Sequence, residues 1–330
     1  MKKMRPWMKI ILSVFIIIVI GGGAVFSYTF YQLSKMNTSK ISKTDAGLGI
    51  KPEVSVKKQN EKGIINIALF GLDREDKNQP SRSDSIIILS IDKVQKKIKM
   101  SSIMRDTYVE ISGHGKTKLA HAYAYGGPQL AIRTLNENFN LDIRDYVSVD
   151  FIAFEKIIDD IGTINIDIKQ DEISAINDKI LEASKIEKKA VTKITKSGLQ
   201  TLNGLQAVAY ARVRYTTGGD FRRTERQRTV LSAVLTKIKS LGVTESLSVA
   251  TKILPYTETN MNNMEIIKNA KEMVTLNIKS LEQERFPVDG YCRGKTIDGV
   301  WYLAADMSAT IDQIHKFIYK DIKPVPKAPL

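Results

Sequence analysis

Apolar and polar positions follow two different periods along this chain, one typical of strands and one of helices. Short β-rich apolar runs predict strands at Ile64–Phe70, Ser85–Ile91, Ile98–Ile103, Tyr146–Asp150, Ile164–Ile168 and Val300–Leu303. Helical periodicity predicts helices over Pro128–Phe139, Phe151–Ile161, Leu205–Ala211, Arg223–Leu241, Met264–Leu276 and Met307–Tyr319. The charged stretch Lys179–Lys196 predicts a solvated helix or loop. Strands that alternate with helices favour an α/β fold with α-β-α layers and a mixed central sheet.

The N-terminal segment carries the pattern of a membrane anchor. Basic residues within positions 1–9 precede an uncharged apolar run at 10–31, which at 22 residues exceeds the ~20 needed to cross a bilayer. A cleaved signal peptide, the alternative, usually has an apolar region of ~7–15 residues followed by a small-residue cleavage site. The length of the run therefore favours one uncleaved transmembrane helix. Its basic flank predicts a single-pass protein of the cell membrane, with residues 1–9 cytoplasmic and the remainder extracellular.

Three further segments follow the apolar run. Residues 32–62 are polar and lack an apolar period, as expected of a tether. Residues 63–241 hold the strongest polar motifs and predict the catalytic domain, whose fold residues 242–330 are expected to complete.

Composition narrows the classes of function. Hydrophobic residues make up 43% and charged residues 26% of the chain, which excludes a wholly disordered or collagen-like protein. The single cysteine excludes an intramolecular disulfide and a multi-cysteine metal site, and three histidines do not favour a histidine metal centre. A formal net charge of +14 favours an anionic partner. Because the predicted topology places that charge outside the cytoplasm, nucleic acid is not expected as the partner.

Two aspartates lie where the first two predicted strands meet. Asp73 follows one strand, and Arg82 and Asp84 open the next, two residues apart and so on one face of an extended chain. Magnesium commonly takes one or two carboxylates together with phosphate oxygens, which makes Asp73 and Asp84 candidate ligands. The alternative is a turn at Asp73 and a surface ion pair between Arg82 and Asp84. At the first position of a strand, Asp84 is expected to face solvent.

A second polar pair follows the third predicted strand. Arg105 and Asp106 come directly after an apolar run, and ligands of open α/β sheets tend to lie beyond the carboxyl ends of strands. The alternative is an ordinary exposed loop. The next motif, Lys118–Gly127, holds small and aromatic residues that would line a groove, although a lone His121 is more often a packing residue.

The strongest signal is a group of six arginines within seventeen residues, namely Arg212, Arg214, Arg222, Arg223, Arg226 and Arg228. When the apolar stripe of the helix that begins near Arg223 is extended backwards at ~100° per residue, Arg223 and Gln227 fall on its inward line. Arg222 points outward, and Arg226 and Arg228 flank the stripe. An arginine on the buried face near a helix N-terminus needs an anionic partner, and phosphate is the natural one.

Four motifs in this order and spacing resemble the LytR-CpsA-Psr family over roughly residues 63–235. They are Arg82-Ser-Asp84, Ser102-Ile-Met-Arg105-Asp106-Thr, Lys118-x-x-His-Ala-Tyr-Ala-Tyr-Gly-Gly127, and Ala211-Arg-Val-Arg214 through Gly219-Asp-Phe-Arg-Arg223-x-x-Arg226-Gln227. The chain departs from the family pattern at Met104, Ala120 and Arg222, where proline, asparagine and glycine are usual. None of these departures removes a charged ligand.

The resemblance implies an extracytoplasmic phosphotransferase of Gram-positive bacteria. Such an enzyme moves a glycopolymer, such as wall teichoic acid or capsule, from undecaprenyl pyrophosphate to peptidoglycan with magnesium. Carried over by position, the implied magnesium ligands are Asp73 and Asp84, and the implied catalytic residues are Asp84, Arg105 and Arg214. The implied pyrophosphate-binding residues are Arg82, Arg105, Arg212, Arg214, Arg223 and Gln227.

Other functions fit the same residues. A non-enzymatic protein that binds polyprenyl phosphate or wall polymer would use the same arginines, and a pyrophosphatase would differ only in using water as the acceptor. A membrane-bound transcriptional attenuator would explain the basic charge, but the predicted orientation of the anchor argues against it and the chain carries no helix-turn-helix signal.

Overall fold

The computed structural model describes residues 37–54, 63–74, 80–188, 190–214, 219–241, 245, 248–249, 252–276 and 278–327. The predicted cytoplasmic segment 1–9 and the predicted anchor 10–31 lie outside the described residues. Within the described part of the chain, no helix combines the length and the apolar character needed to span a bilayer.

The described residues form thirteen strands and seven α-helices. The strands are β1 (Asn37–Thr38), β2 (Ile64–Leu72), β3 (Ser83–Asp92), β4 (Lys97–Ile103), β5 (Tyr108–Ile111), β6 (Gly115–Lys118), β7 (Asp145–Asp150), β8 (Ile164–Ile168), β9 (Gly198–Leu202), β10 (Glu258–Thr259), β11 (Ser280–Phe286), β12 (Cys292–Ile297) and β13 (Val300–Ala305). The helices are α1 (His121–Phe139), α2 (Phe151–Ile161), α3 (Ile173–Glu187), α4 (Gly204–Arg212), α5 (Gly219–Ser240), α6 (Asn263–Thr275) and α7 (Met307–Lys320).

Seven strands form the central sheet in the order β1-β10-β7-β2-β3-β4-β11. β7 is parallel to β2 and β4 to β11, whereas β3 runs antiparallel to both of its neighbours. The predicted mixed α/β fold is therefore confirmed. Because β3 runs the other way, its first residues lie at the edge where β2, β4, β7 and β11 end.

Alternation along β3 sends apolar side chains to both faces of the sheet. Ile86 and Ile88 join a core with residues of α1 and α7, such as Leu135 and Phe317. On the opposite face, Ile87 and Leu89 form a cluster against which Leu231 and Leu235 of α5 pack. Helices thus cover both faces of the strand that carries Asp84.

A further core is formed by helices α2, α3, α4 and α5 and by the two-stranded antiparallel sheet of β8 and β9. The expectation of a solvated segment at Lys179–Lys196 is correct only in part, because α3 buries Ile176 and Ile180 completely. α3 begins at Ile173, six residues before the charged stretch, so Ile176 precedes that stretch. Ile180 lies within it and is buried all the same.

Residues 37–54, part of the expected tether, belong to the fold, because Asn37–Thr38 form β1 of the central sheet and Leu48 is fully buried in the core. One predicted helix and one unpredicted strand also differ from the sequence pattern. The helix expected at Pro128 is preceded by a turn of helix from His121, and the two segments are separated by Gly126 and Gly127, the latter at φ 61°. Proline opens the second segment because its missing N–H is tolerated in a first helical turn. Strand β11, which no apolar pattern predicts, is charged because it forms one edge of the sheet and has a single strand neighbour, β4.

Candidate functional site

A β-bulge places Asp84 at the end of the sheet where β2 and β4 terminate. Gly71 pairs with Ser85 and Leu72 pairs with Ser83, so Asp84 is an extra residue in β3. Bulges bend a strand and re-aim a side chain. Asp84 is only 4% exposed, so the expectation that it faces solvent is wrong. Arg82 is exposed, so the two side chains do not share one environment as their spacing suggested.

Three guanidinium groups converge on the Asp84 carboxylate. Nη1 of Arg105 lies 2.6 Å from Oδ1, while Nη2 of Arg214 and Nη1 of Arg223 lie 2.7 and 3.3 Å from Oδ2. Arg105 follows β4, Arg214 follows α4 and Arg223 belongs to the first turns of α5. Residues far apart in the sequence therefore meet at one carboxylate.

The three arginines differ strongly in exposure. The Arg223 side chain is 2% exposed, Arg105 18% and Arg214 42%. Arg223 therefore forms the floor of the site and Arg214 its open side. The inward orientation predicted for Arg223 is confirmed, as is the outward one of Arg222, which pairs with the exposed Glu225. Gln227, one turn after Arg223, is half-buried.

Two further aspartates, Asp220 and Asp106, form ion pairs with these arginines. Asp220 Oδ1 lies 3.0 Å from Nη2 of Arg223, and its Oδ2 lies 3.4 Å from Nε of Arg105. Asp106 Oδ2 lies 3.5 Å from the same Nε, and its Oδ1 lies 2.8 Å from Nζ of Lys118. Asp220 lies in the first turn of α5, a position that favours an acidic residue.

The electrostatics of this network leave capacity for an anion. Burial lowers the pKa of Arg223 and the positive charges of Arg105 and Arg214 add to that effect, against Asp220 and Asp84. Burial also acts on Arg105, but the carboxylates of Asp84, Asp220 and Asp106 outweigh it and raise its pKa. Nε of Arg223 is buried and has no hydrogen-bond partner among the described residues. A buried donor of this kind is costly to leave unpaired, which favours a bound oxyanion.

Asp73 and Arg82 lie at the rim of the same sheet edge. The Asp73 side chain is exposed, and its backbone N–H donates to the Arg82 carbonyl oxygen at 3.4 Å. The positive charge of Arg82 acts on His121. Burial, together with the charges of Arg82 and Lys118, lowers the pKa of that imidazole. Both rim residues therefore remain candidates to contact a ligand seated above Asp84.

Arg212 and Arg226 pair with residues other than Asp84. The Arg212 guanidinium lies 4.8 Å from the centroid of the Phe151 ring and 3.6 Å from Glu182. Arg226, predicted to flank the inward stripe, is 2% exposed and pairs with the equally buried Glu172 at 2.8 Å.

Arg226 also donates to the Val213 carbonyl oxygen at 3.2 Å. Since Val213 precedes Arg214, this buried pair fixes the backbone that carries the exposed arginine of the site. No sequence pattern pointed to Glu172, because its pairing joins segments more than fifty residues apart.

The donor set suits a hard cation shared with a substrate. Among the residues that the structure describes, no group of three His, Cys, Asp or Glu side chains could enclose a metal ion alone. Asp73 and Asp84 nevertheless offer carboxylate oxygens at one end of the β2–β3 pair. Magnesium is usually held by one or two carboxylates plus phosphate oxygens and waters, so these residues fit that ion.

Comparison with known proteins agrees with this geometry. The chain is 34% identical over 249 residues, 73% of either chain, to the polyisoprenyl-teichoic acid–peptidoglycan teichoic acid transferase TagT of Bacillus subtilis strain 168. It is 30% identical over 321 residues, 96% of either chain, to the corresponding transferase TagU of Bacillus cereus. A solved structure of the LytR-CPS2A-psr family protein YwtF (TagT) with bound octaprenyl pyrophosphate lipid matches with a TM-score of 0.59 and 27% identity, over 79% of this chain and 90% of that one.

The family match also covers most of the chain. The LytR_cpsA_psr family model matches residues 26–317, a range that includes every residue of the arginine–aspartate network. The two relatives, the solved structure and the family model all agree with the motifs read from the sequence. This protein therefore belongs to the LytR_cpsA_psr family.

Proposed function

We propose that this protein is a phosphotransferase that moves an anionic glycopolymer of the wall teichoic acid type from polyprenyl pyrophosphate to peptidoglycan. The observation that carries this proposal is the convergence of Arg105, Arg214 and Arg223 on one buried carboxylate, at the sheet edge where ligands of α/β folds bind. The relatives named as teichoic acid transferases, and the one with bound octaprenyl pyrophosphate, support the choice of substrate.

The arginines supply the electrostatic part of the catalysis. Phosphoryl transfer depends mainly on positioning and on neutralising charge that builds up on the phosphate oxygens. Arg105, Arg214 and Arg223 bind the pyrophosphate, and Arg82 contacts it or the attached sugar from the rim. Arg212 and Gln227 complete the proposed binding pocket beside Arg214 and Arg223. Fixed guanidinium forks suit this task because they form paired hydrogen bonds to phosphate.

The bond changes follow from that placement. The oxygen of a peptidoglycan sugar hydroxyl attacks the phosphorus bonded to the polymer, and the bond from that phosphorus to the bridging oxygen breaks. Polyprenyl phosphate leaves with the electron pair of the broken bond. Once pyrophosphate has drawn the guanidinium groups to itself, Asp84 accepts the proton of the attacking hydroxyl.

Magnesium and membrane attachment belong to the same proposal. Asp73 and Asp84 would hold Mg²⁺, which when bound would neutralise charge on the pyrophosphate. Residues 10–31 anchor the protein in the cell membrane in a single pass, with the N-terminus in the cytoplasm and the catalytic part outside. Protease added to cells without a wall should then degrade residues 32–330; protection until the membrane is lysed would contradict the topology.

Turnover of a lipid-linked glycopolymer tests the function. The full-length protein is incubated in detergent with the polyprenyl-pyrophosphate-linked polymer and Mg²⁺, with or without peptidoglycan. A transferase yields polymer on peptidoglycan only when both substrates are present. Release of free polymer without peptidoglycan would identify a pyrophosphatase, and binding without any turnover would identify a binding protein.

A further inference from the structure

An aromatic hairpin lies next to the arginine network. Trp301 of β13 is 45% exposed, and β13 pairs with β12 along its whole length. The hairpin is attached to the loop that follows Arg105, because the Leu303 N–H donates to the Asp106 carbonyl oxygen at 2.9 Å. A bridge between Thr107 and Leu303 adds a second connection. The hairpin is thus fixed relative to the catalytic arginines.

Lys118 connects the hairpin to that network. Its ammonium nitrogen lies 2.8 Å from Asp106 Oδ1 and 5.9 Å from the ring centroids of both Trp301 and Tyr302. Asp106 in turn contacts Arg105, whose guanidinium holds Asp84. A continuous series of side-chain contacts therefore leads from the exposed indole to the carboxylate at the centre of the site.

The hairpin is built to hold the indole flat. A Cβ atom at Gly294 would lie 2.7 Å from Nε1 of Trp301, so the ring rests against the backbone where glycine leaves room for it. An aromatic side chain that covers a cross-strand glycine is a recurrent way to stabilise a β-ribbon. The register pairs Trp301 with Thr296, so the nearest β12 neighbours on this face, Gly294 and Thr296, are uncharged.

A second aromatic pair joins the turn between β5 and β6 to the start of α1. Tyr125 is 48% exposed and stacks on His114 with 4.5 Å between the ring centroids. It also lies 5.8 Å from the ring of His121, three residues after Lys118. The motif at Lys118–Gly127 thus exposes one tyrosine ring, that of Tyr125, whereas Tyr123 is buried in the core. The transfer chemistry itself does not use Tyr125.

We propose that Trp301, with Tyr125 as a second exposed ring, forms the docking surface for the glycan strand of the peptidoglycan acceptor. This proposal rests on the proposed function, which requires a second substrate beside the pyrophosphate. Flat exposed rings suit the apolar faces of pyranose sugars, since aromatic side chains offer a large apolar area with few lost rotamers. The polyanionic donor fits the indole less well, because the β12 cations Arg293 and Lys295 alternate with Gly294 and Thr296 and so lie on the opposite face of the ribbon. Lys118, the cation beside the indole, is already paired with Asp106.

Fluorescence and kinetics of the full-length protein in detergent test the docking surface. The chain has two tryptophans, so in a Trp7→Phe background Trp301 is the only indole. The probe is uncrosslinked peptidoglycan glycan strands freed of stem peptides by an amidase. Saturable quenching or a blue shift of the Trp301 emission is expected on titration.

The kinetic arm compares variants that lose or keep the ring. Trp301→Ala should raise the KM for the peptidoglycan acceptor roughly 3- to 10-fold, the size of one aromatic contact, and leave the KM for the lipid-linked donor unchanged. Trp301→Phe should recover most of that loss. Gly294→Ala, which displaces the indole without removing it, should also raise the acceptor KM. Val300→Ala, at an adjacent exposed position, is the matched control and should change neither KM.

Each remaining outcome decides against the docking surface or against the function. A change in donor KM instead of acceptor KM would assign the rings to the donor polymer, and no change in either would leave them a packing role; both results overturn the proposal. If Trp301 responds to glycan strands but the wild-type protein transfers nothing to peptidoglycan, the proposed function fails while the glycan site stands. If transfer occurs and Trp301 is silent, the docking surface fails alone.

Discussion

Removing the charge of Asp84 should destabilise the protein and make its stability depend on added pyrophosphate. Asp84→Asn keeps the size of the side chain but leaves three guanidinium groups without their common carboxylate. Breaking a buried pair by removing one partner costs about 3–5 kcal/mol. Arg105 and Arg214 are partly solvated, so their share is small. Arg223 at 2% exposure dominates, and Asp220 compensates part of its charge. We therefore expect a loss of about 2–3 kcal/mol.

Urea unfolding of the full-length protein, followed by circular dichroism, measures this loss. Asp45→Asn, which breaks an exposed pair with Arg144, is the control and should cost less than about 1 kcal/mol. Millimolar inorganic pyrophosphate should stabilise the Asp84 variant more than the wild type, because the anion replaces the missing carboxylate. A loss below about 1 kcal/mol, or equal stabilisation of both proteins by pyrophosphate, would refute the view that Asp84 neutralises an anion pocket.

Three further predictions address the floor of the site, the buried pair that supports Arg214, and the pH dependence of the protein's stability. In a binding titration, Arg223→Ala should weaken polyprenyl-pyrophosphate binding by about 1.5–3 kcal/mol, and Arg223→Lys should restore that binding in part. Arg222→Ala should have little effect, and equal losses at positions 222 and 223 would indicate a diffuse basic patch. Glu172→Gln should lower the free energy of unfolding by about 3 kcal/mol. It should also raise the donor KM, because Arg226 would no longer fix the Val213 backbone that precedes Arg214; an unchanged KM would mean that the Arg226–Glu172 pair contributes only to stability. Burial raises the pKa of Asp142 from 3.8 to about 6, so the folded state binds its proton more tightly and stability falls by up to about 3 kcal/mol as pH rises from 4 to 6. Asp142→Asn should flatten that slope in urea unfolding measured across this range and be more stable than wild type at pH 7, and an unchanged slope would exclude Asp142 as its source.

The apolar pattern predicted the central elements because buried strands and amphipathic helices repeat their own periods. The first residue of α2 and both ends of β8 fall where the sequence placed them. Helical phase separated Arg223 from Arg222, since burial of one face is a local property of a helix. The charged edge strand β11 escaped prediction because a strand with one neighbour needs no continuous apolar run.

The errors at the site have a different origin. Asp84 was expected to face solvent because strand position was read without the bulge, and a one-residue change of register is invisible in a single sequence. The Arg226–Glu172 pair and the Asp220 contacts depend on tertiary packing between separate segments. Sequence spacing identifies which charges are available near the site, whereas the packing decides which of them meet.

The bulged carboxylate of Asp84 also has a consequence for selectivity. In the absence of substrate, all three arginines share the Asp84 carboxylate, and Arg105 and Arg223 keep separate contacts with Asp106 and Asp220. Any anion that enters between the three must therefore compete with Asp84. A monoanion such as chloride or acetate offers no more charge than Asp84 and brings no fixed geometry, and we expect it to displace the carboxylate poorly. A pyrophosphate diester brings two charges on linked groups and can engage several guanidinium forks at once. Asp84 thereby sets a threshold that excludes the abundant simple anions outside the cell and that the lipid-linked substrate exceeds.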